Sequence, residues 1–170
     1  MKAIATGLGS LALFAGAAAI YAPTLAAQSG YANVISNNMS KCASGKGPAV
    51  RVRINGLKSS SGYLMVRTYK ATSRDWLKSK RYLTRLDTRP RAGSMTVCVP
   101  LPAAGRYAIA VQHDIDGNRK LTFSKDGAGM SNNPKIGSFL GIPRPPSVGK
   151  AAFNAGKGVT NLSIRIRYRD

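Results

Sequence analysis

Acidic residues are scarce in this chain, which has six aspartates, no glutamate and 26 lysines and arginines, for a formal net charge of +20. The lack of glutamate excludes the paired glutamates that many hydrolases use as acid and base. The strongly positive field favours anionic partners: anionic polysaccharide, lipopolysaccharide or a membrane surface. The same charge is also compatible with a basic exported protein whose charged faces have no specific ligand.

Cysteine is nearly absent as well, since Cys42 and Cys98 are the only two. Their number and spacing exclude a C-x-x-C redox motif and a zinc cluster. In an oxidising compartment we expect these two cysteines to form a disulfide, and two free thiols are the alternative. A bond across this long loop is worth about 3–4 kcal/mol in the chain-entropy model.

Long apolar runs are absent after the N-terminal region, so no later segment is expected to span a membrane. Residues 1–27 begin with Lys2, continue apolar from Leu8 to Ile20 and end in small residues at Ala26 and Ala27. That order is typical of a secretory signal peptide, and an uncleaved anchor is the alternative. We therefore expect a periplasmic or secreted protein with an extended arm over residues 28–48 and one domain over residues 49–170.

Long helical patterns are also missing, and alternating patterns take their place. In "VRVRIN", Val50, Val52 and Ile54 share one face of a predicted strand, and polar side chains occupy the other. Further strands are predicted over residues 63–69, 81–89, 94–101, 106–113 and 160–170. Short strands separated by turns are typical of an all-β, antiparallel β-sandwich such as an immunoglobulin domain. At most one short helix is expected, over residues 71–78, with Thr72 or Ser73 as its N-cap.

Three of the six aspartates lie in one stretch, "HDIDGNRKLTFSKDGAGMSNNP", which follows the strand at residues 106–113. Asp114, Asp116 and Asn118 alternate, so their oxygens could converge on calcium. Lys125 stands where a calcium loop of the EF-hand kind needs glutamate, although Asp126 could supply a carboxylate if the loop folds back. The alternative is that these side chains close turns by bonding nearby backbone N–H groups.

The only histidine, His113, opens the same stretch. The alternation of the preceding strand predicts that it shares one face with Tyr107, Ile109 and Val111. A His-Asp pair is typical of metal-dependent phosphohydrolases, but these need further histidines. A Ser-His-Asp triad would need a serine such as Ser131, and "GMSNN" is not the G-x-S-x-G turn of such hydrolases. A third hypothesis is an anion-binding nest at Gly127 and Gly129. We expect a non-enzymatic role and keep a hydrolase for anionic substrates as an alternative.

The stretches "PAAGRYAIAVQHDIDGNRKL", "GAGMSNNP" and "GIPRPPSVGKAAF" together resemble the uncharacterised exported bacterial family catalogued as domain of unknown function 2141. That family shows "G-x-Y-A-x-x-x-x-H-D-x-N-x-N-x-K-x-D", then "G-x-S-N-N". The resemblance extends from about Ala49 to Tyr168. It implies a seven-stranded sandwich of the transthyretin or carboxypeptidase-regulatory kind, and it implies no established activity.

The family's motif falls on twelve residues of this chain: Gly105, Tyr107, His113, Asp114, Asp116, Gly117, Asn118, Lys120, Gly129, Ser131, Asn132 and Asn133. Two positions depart from the family pattern. Asp116 stands where the family often has asparagine, which keeps an oxygen ligand. Thr122 stands where it often has aspartate, which weakens the calcium hypothesis. Pro143 and Phe153 fit the later segment loosely.

Arginines alternate with apolar residues on the first and last predicted strands. If these strands are neighbours, five guanidinium groups share one face and suit phosphate, sulfate or carboxylate groups. These arginines are Arg51, Arg53, Arg165, Arg167 and Arg169. The alternative is that outward strand positions are polar and long arginine stems cover the sheet.

A second basic stretch lies in the middle of the chain and includes two aromatic residues, Trp76 and Tyr82. Its basic residues are Arg74, Lys78, Lys80, Arg81, Arg85, Arg89 and Arg91. Aromatic and basic residues together can bind sugars or single-stranded nucleic acid, and export makes nucleic acid the poorer partner. The alternative is that the aromatic rings pack in the core. The sequence thus predicts an exported, non-enzymatic binding or structural module, with a calcium-stabilised domain as the alternative.

Overall fold

The computed structural model describes residues 30–139 and 142–169, so the predicted signal peptide at residues 1–27 lies outside the described residues. The strands are β1 (Asn33–Ile35), β2 (Ala49–Leu57), β3 (Tyr63–Lys70), β4 (Thr84–Thr88), β5 (Gly93–Pro100), β6 (Gly105–Asp114), β7 (Gly127–Met130), β8 (Gly137–Phe139), β9 (Ile142–Arg144), β10 (Phe153–Ala155), β11 (Val159–Arg165) and β12 (Arg167–Tyr168). A 3₁₀ helix spans Met39–Cys42, and helix α1 spans Val148–Ala151. Within the described ranges, no helix has the length and apolar character to cross a membrane.

Two sheets form the predicted β-sandwich. The large sheet has the order β1-β4-β3-β6-β7-β12, with β10 also paired to β6, and the small sheet has the order β11-β2-β5. Most pairs are antiparallel, but β1–β4 and β2–β11 are parallel. Strands β8 and β9 form a separate hairpin. The described strands outnumber the seven expected because several are only two to four residues long, too short to show an alternating pattern.

The core lies between the sheets and follows the predicted alternation. Val50, Val52 and Ile54 of β2 are fully buried, as are Leu64 and Val66 of β3. Burying side chains of this size stabilises the fold by about 1.5–3 kcal/mol each relative to exposure. On β6 the inward face carries three apolar residues and His113, as predicted; the apolar residues are Tyr107, Ile109 and Val111.

The N-terminal arm joins the sandwich at two places. Strand β1 adds a parallel strand to the edge of the large sheet through its pairing with β4. The 3₁₀ helix then brings Cys42 to Cys98 of β5, and the predicted disulfide is present. The arm is therefore part of the folded unit, although its sequence predicted only an extended segment.

The segment at residues 71–78, where one or two helical turns were expected, forms a single helical turn, in which the N–H of Trp76 donates to the carbonyl of Thr72 (3.0 Å), and does not continue as a helix. The expected cap is nevertheless present, because the hydroxyl of Thr72 accepts a bond from the backbone N–H of Asp75 (3.2 Å). The helical path stops at Leu77, whose φ of 56° lies in the left-handed region. The indole N–H of Trp76 donates to the carbonyl of Pro146 (2.9 Å), which fixes the ring against the segment that precedes α1.

The last predicted strand is divided between the two sheets. Strand β11 pairs with β2 as far as Arg165, and β12 then pairs with β7 of the large sheet. Ile164 and Ile166 face the core, as the alternation predicted. The C-terminal segment therefore closes one side of the sandwich by joining both sheets.

Candidate functional site

His113 is fully buried and both of its ring nitrogens have partners. The carbonyl oxygen of Ser61 lies 3.1 Å from Nε2 and can only accept, so Nε2 carries the proton. Nδ1 therefore accepts from the hydroxyl of Tyr168 (2.5 Å). Neither nitrogen is left to act as a base or a metal ligand in this arrangement.

The hydroxyl of Tyr168 also accepts a bond from the backbone N–H of Lys58 (3.0 Å). Burial raises the pKa of Tyr168, the bond from Lys58 lowers it, and the charge of Asp126 raises it, so the net shift is upward. The tyrosine thus stays protonated and continues to donate to His113.

Ser131 is fully buried and does not form a catalytic pair with His113. Its hydroxyl accepts from the backbone N–H of Ile109 (2.9 Å) and donates to the carbonyl of Ala151. The serine connects β6 to the end of α1, which is a structural role.

The two asparagines that follow connect the same turn to distant segments. Asn132 and Asn133 have φ values of 62° and 49°, which asparagine tolerates better than most residues. The amide of Asn132 donates to the carbonyl of Ala152 (2.7 Å). The amide of Asn133 donates to the carbonyl of Ser163 (2.9 Å) and accepts from the N–H of Arg165 (2.7 Å).

The predicted anion nest at Gly127 and Gly129 is wrong. Both glycines lie within β7, which pairs with β6, and neither has a positive φ. A side chain at Gly129 would lie 2.6 Å from the carbonyl oxygen of Arg165, so this glycine is needed for close packing.

The acidic loop between β6 and β7 is built from bonds between carboxylates and backbone N–H groups, as the turn hypothesis predicted. Asp114 accepts from the N–H groups of Gly117 (3.0 Å) and Arg119 (2.8 Å). Asp126 accepts from those of Ile115 (3.0 Å) and Thr122 (2.8 Å). These bonds hold the loop against the end of β6.

The same folding brings three carboxylates together. Asp114, Asp116 and Asp126 each place one oxygen within 4.8 Å of the others, so the loop does fold back to Asp126. Lys125 lies 3.9 Å from Asp116. The side-chain oxygen of Asn118 accepts from the N–H of Lys120 (2.7 Å). Three converging carboxylates could hold a hard cation such as calcium.

The predicted arginine face is smaller than expected. Strands β2 and β11 are neighbours, so Arg51, Arg53 and Arg165 lie on the outer face of the small sheet. Arg167 instead pairs with Ala128 in the large sheet. Arg51 donates to the carbonyl of Cys42 and Arg53 donates to Asn55 (3.2 Å), so these two guanidinium groups bond neighbouring neutral groups.

The outer face of the large sheet carries a groove of about 540 Å³. One row of paired residues crosses it: Arg85 of β4, Arg67 of β3, Ala110 of β6 and Met130 of β7. Turns at residues 77–80 and the acidic loop close it on two sides. Its floor is apolar on β6 and β7, and its cationic side chains lie on β3, β4 and the turn.

Arg67 lies in the middle of the groove with only neutral acceptors. Its guanidinium is 3.3 Å from the side-chain oxygen of Gln112 and 3.5 Å from the sulfur of Met65. Arg85 lies directly across the strand pair and forms an ion pair with Asp87, with Nε 3.0 Å from the carboxylate. Over residues 30–139 and 142–169, no ion pair involves Arg67 or the two lysines of the wall, Lys78 and Lys80.

Tyr69 lies two residues beyond Arg67 and lines the same groove. Only 3% of its surface is exposed, and its hydroxyl has no hydrogen-bond partner among the described residues. Burial raises its pKa, the charge of Arg67 lowers it and Tyr82 raises it, so the net shift is upward. The hydroxyl is therefore a neutral donor near Arg67.

Two exposed apolar residues, Leu121 and Phe123, border the groove from the acidic loop. They are 41% and 44% exposed. Among the aromatic residues of the basic stretch, Trp76 is buried against Tyr69, with ring centroids 5.4 Å apart. Tyr82 is half-buried, packs against the same apolar cluster as Trp76 and also lines the groove. The core-packing alternative is thus correct for Trp76 and in part for Tyr82.

Sequence reasoning placed Lys78, Lys80 and Arg85 in a basic stretch but missed Arg67 and Tyr69. The available signal was the outward face of β3, where Met65, Arg67 and Tyr69 alternate with core residues. An aromatic residue and a methionine on the outward face of a strand indicate that this face is covered.

A family model described as "Uncharacterized protein conserved in bacteria (DUF2141)" matches residues 52–163. No curated protein and no solved structure matches the chain. The likeness to transthyretin and carboxypeptidase-regulatory domains therefore stays a prediction.

Proposed function

The chain belongs to the bacterial family DUF2141, and within that family we propose that it is an exported, non-enzymatic binding module. Its ligand site is the groove on the outer face of the large sheet. The ligand carries an anionic group that bonds Arg67.

This proposal rests on one observation: the hydrogen-bond acceptors of Arg67 are all neutral. A charged group held inside a groove costs free energy unless an opposite charge or good hydrogen bonds compensate it. The oxygen of Gln112 is neutral and 3.3 Å away, and the sulfur of Met65 is a weak acceptor, so neither group compensates the charge of the guanidinium. An oxyanion in the groove would supply two parallel hydrogen bonds, the strongest arrangement for arginine.

A non-enzymatic role is supported by the residues that hydrolysis would need. His113 and Ser131 are both buried and bonded to structural partners. Binding also requires less of the chain than catalysis does, because one oriented cation in a preformed groove is sufficient to fix an anion.

Export is supported by the signal-peptide pattern of residues 1–27, and the disulfide between Cys42 and Cys98 fits an oxidising compartment. We propose a periplasmic or secreted location. The charge of +20 would draw the protein to anionic polysaccharide, lipopolysaccharide or membrane surfaces. The arginine face of Arg51, Arg53 and Arg165 would add to this attraction without selecting a ligand.

The test is titration with the fluorescent anion anilinonaphthalene sulfonate. We expect saturable binding by the wild type and by Arg53→Gln, which removes one charge from the other sheet. Arg67→Gln should bind about ten- to a hundredfold more weakly, because hydrogen bonds to charged groups are worth about 1.5–3 kcal/mol. Equal binding by both variants would show that the groove is not the anion site.

A calcium-stabilised domain is the second candidate, and the convergence of three carboxylates favours it. Thermal unfolding with calcium and with EDTA at fixed ionic strength tests it. At a calcium concentration of about 100 Kd, the free energy of unfolding should rise by about 2.7 kcal/mol. The milder variant Asp116→Asn and the double variant Asp114→Ala, Asp116→Ala should both reduce this rise. An equal response to calcium in all three proteins would reject a calcium site at these carboxylates.

A further inference from the structure

The residues that line the groove indicate more about the ligand than its negative charge. Resting on the proposed function, we infer that the ligand is a single-chain amphiphile, with a carboxylate or phosphate head group on an unbranched apolar chain. Arg67 and Tyr69 bind the head group, and the floor over β6 and β7 takes the chain.

The head-group end is defined by two donors on one strand. Arg67 and Tyr69 occupy alternate positions of β3 and therefore share its outward face. The guanidinium offers a planar pair of N–H donors, and the tyrosine hydroxyl offers a third donor that no described residue uses. The Tyr69 hydroxyl is not fully enclosed, so a ligand in the groove can reach it. A carboxylate or phosphate oxygen would satisfy both groups at once.

On the floor over β6 and β7, the amide of Gln112 already bonds Arg67 and the carbonyl of Lys120. Ala110, Ala128 and Met130 present small or flexible apolar side chains next to the arginine. The volume of about 540 Å³ falls in the range of sites for small organic ligands and far exceeds the space that one oxyanion needs. Sugar rings would bring several hydroxyl groups onto this floor without partners, so an apolar chain fits better than a glycan.

The mouth of the groove continues this apolar surface. Leu121 and Phe123 are the two exposed apolar side chains that border it, at 41% and 44% exposure. A bound chain lying between them would cover both. Lys78 and Lys80, in the turn at residues 77–80, also line the groove and add attraction for the head group.

Isothermal titration with graded ligands tests the inference. The ligands are butyrate, octanoate and dodecanoate, the alkyl phosphates of the same lengths, and octanol, all below their micelle concentrations. Each buried methylene should tighten binding about fourfold, so dodecanoate should bind on the order of a hundredfold more tightly than octanoate. Octanol should bind much more weakly than octanoate. We then compare the affinities of the carboxylates and the alkyl phosphates. The head group of the series that binds more tightly is the natural one.

Variants separate the two ends of the site. Arg67→Gln should weaken the binding of every carboxylate and phosphate by a similar factor, and Tyr69→Phe should weaken it to a smaller extent. Leu121→Ser, which removes an apolar side chain from the border of the groove, should reduce the gain from octanoate to dodecanoate and leave butyrate unchanged. Arg53→Gln should match the wild type. Circular dichroism confirms that each variant is folded, and Phe123→Ser tests the chain end independently, because the exposed Phe123 side chain lines the groove without being part of the core.

The possible failures are distinguishable. Binding that depends on Arg67 but not on chain length would overturn the amphiphile and leave the anion-binding module in place. Equal binding of octanol and octanoate would overturn the head-group site. The absence of binding by every anion, including anilinonaphthalene sulfonate, would remove the proposed function as well.

Discussion

The hydroxyl of Tyr168 joins three distant parts of the chain through one oxygen atom. It accepts from the backbone N–H of Lys58 and donates to Nδ1 of His113, while Nε2 of His113 donates to Ser61. The lone histidine is therefore best explained as a buried structural group that positions the loop before β3. Removal of the hydroxyl would leave the buried Nδ1 of His113 without the group that donates to it.

We predict that Tyr168→Phe lowers the free energy of unfolding by about 1–3 kcal/mol, the cost of leaving such a group unsatisfied. Urea denaturation measures it. Tyr63→Phe is the control, because the Tyr63 hydroxyl has no hydrogen bond among the described residues, and its effect should stay within about 0.5 kcal/mol. Similar effects of the two substitutions would contradict this account of His113.

Asp75 holds the turn that forms one wall of the groove. It is buried, and its carboxylate accepts from Arg81 (2.8 Å), Thr72 (3.0 Å) and Tyr31 (3.2 Å). Burial alone raises the pKa of Asp75, but the bonds from Arg81 and Thr72, the charge of Arg81 and the bond from Tyr31 together lower it below its usual 3.8.

A lowered pKa in the folded state means that this carboxylate stabilises the protein above pH 3.8, and that the contribution disappears as the pH falls through the lower folded value. We predict that Asp75→Asn costs about 2–3 kcal/mol at neutral pH. The difference from the wild type should shrink below a pH of about 4. Denaturant unfolding across the pH range measures this, with the exposed Asp116→Asn as control. A difference that is constant with pH would contradict the ionic origin.

Alternation in the sequence predicted which residues of β6 face inward, including His113. It could not predict the partners of these residues, since Tyr168 lies 55 positions away. The acidic loop was more predictable, because aspartate and asparagine bond backbone N–H groups two to five residues along the chain. Local chemistry was thus accessible from the sequence, and contacts between distant residues were not.

At the scale of elements, the contact between β7 and the C-terminal segment determines how the sandwich closes. Gly127 and Gly129 face the core, where Ile164, Ile166 and Tyr168 pack directly on the backbone of β7. The chain can cross from the small sheet to the large sheet only because these two positions lack side chains.

We predict that Gly129→Ala lowers the free energy of unfolding by about 3 kcal/mol, the upper part of the range for overpacked cores. Its new methyl group would lie 2.6 Å from the backbone oxygen of Arg165 and 2.8 Å from Ile164, and a backbone atom cannot move aside cheaply. Gly149→Ala in α1 is the matched control, because no atom lies within 4 Å of its new methyl group. Thermal unfolding measures the stability of both variants. A Gly129→Ala variant as stable as the wild type would contradict the packing described here.

The longer strands β2, β3, β5 and β6 were predicted because each carries enough alternating residues to show a period of two. Strand β7 was not predicted, since "GAGM" contains glycines that carry no pattern. At residues 71–78 the expected helical turn forms but does not extend into a helix, for a different reason. There the local cap is correct, but the fixed side chains of Asp75 and Trp76 favour a turn.

For the whole molecule, the groove illustrates what a single sequence does not show. Its lining comes from β3, β4, β6 and β7 and from two irregular segments. Only the pairing register places Arg85, Arg67, Ala110 and Met130 in one row. The basic character of the site could be predicted from composition, whereas its apolar floor depends on the order of strands in the sheet.

The excess of positive charge affects the whole fold. With 26 basic residues against six acidic ones, most cationic groups repel one another, and the compact state brings them closer together than the unfolded chain does. Arg67 and Arg85, which lie opposite each other on neighbouring strands, are one such pair. At low ionic strength the screening length is about 30 Å, so this repulsion acts across much of the molecule.

We therefore predict that the melting temperature rises as sodium chloride increases from about 10 mM to about 150 mM, since the screening length then falls to about 8 Å. Calorimetry measures the rise. Choline chloride at the same ionic strength should act equally, because screening depends on ionic strength and not on the cation. Arg53→Gln and Arg67→Gln should each show a slightly smaller rise, since each has one charge fewer to screen. A melting temperature that falls with salt would mean that attractive ion pairs, such as that of Asp75 with Arg81, outweigh the general repulsion.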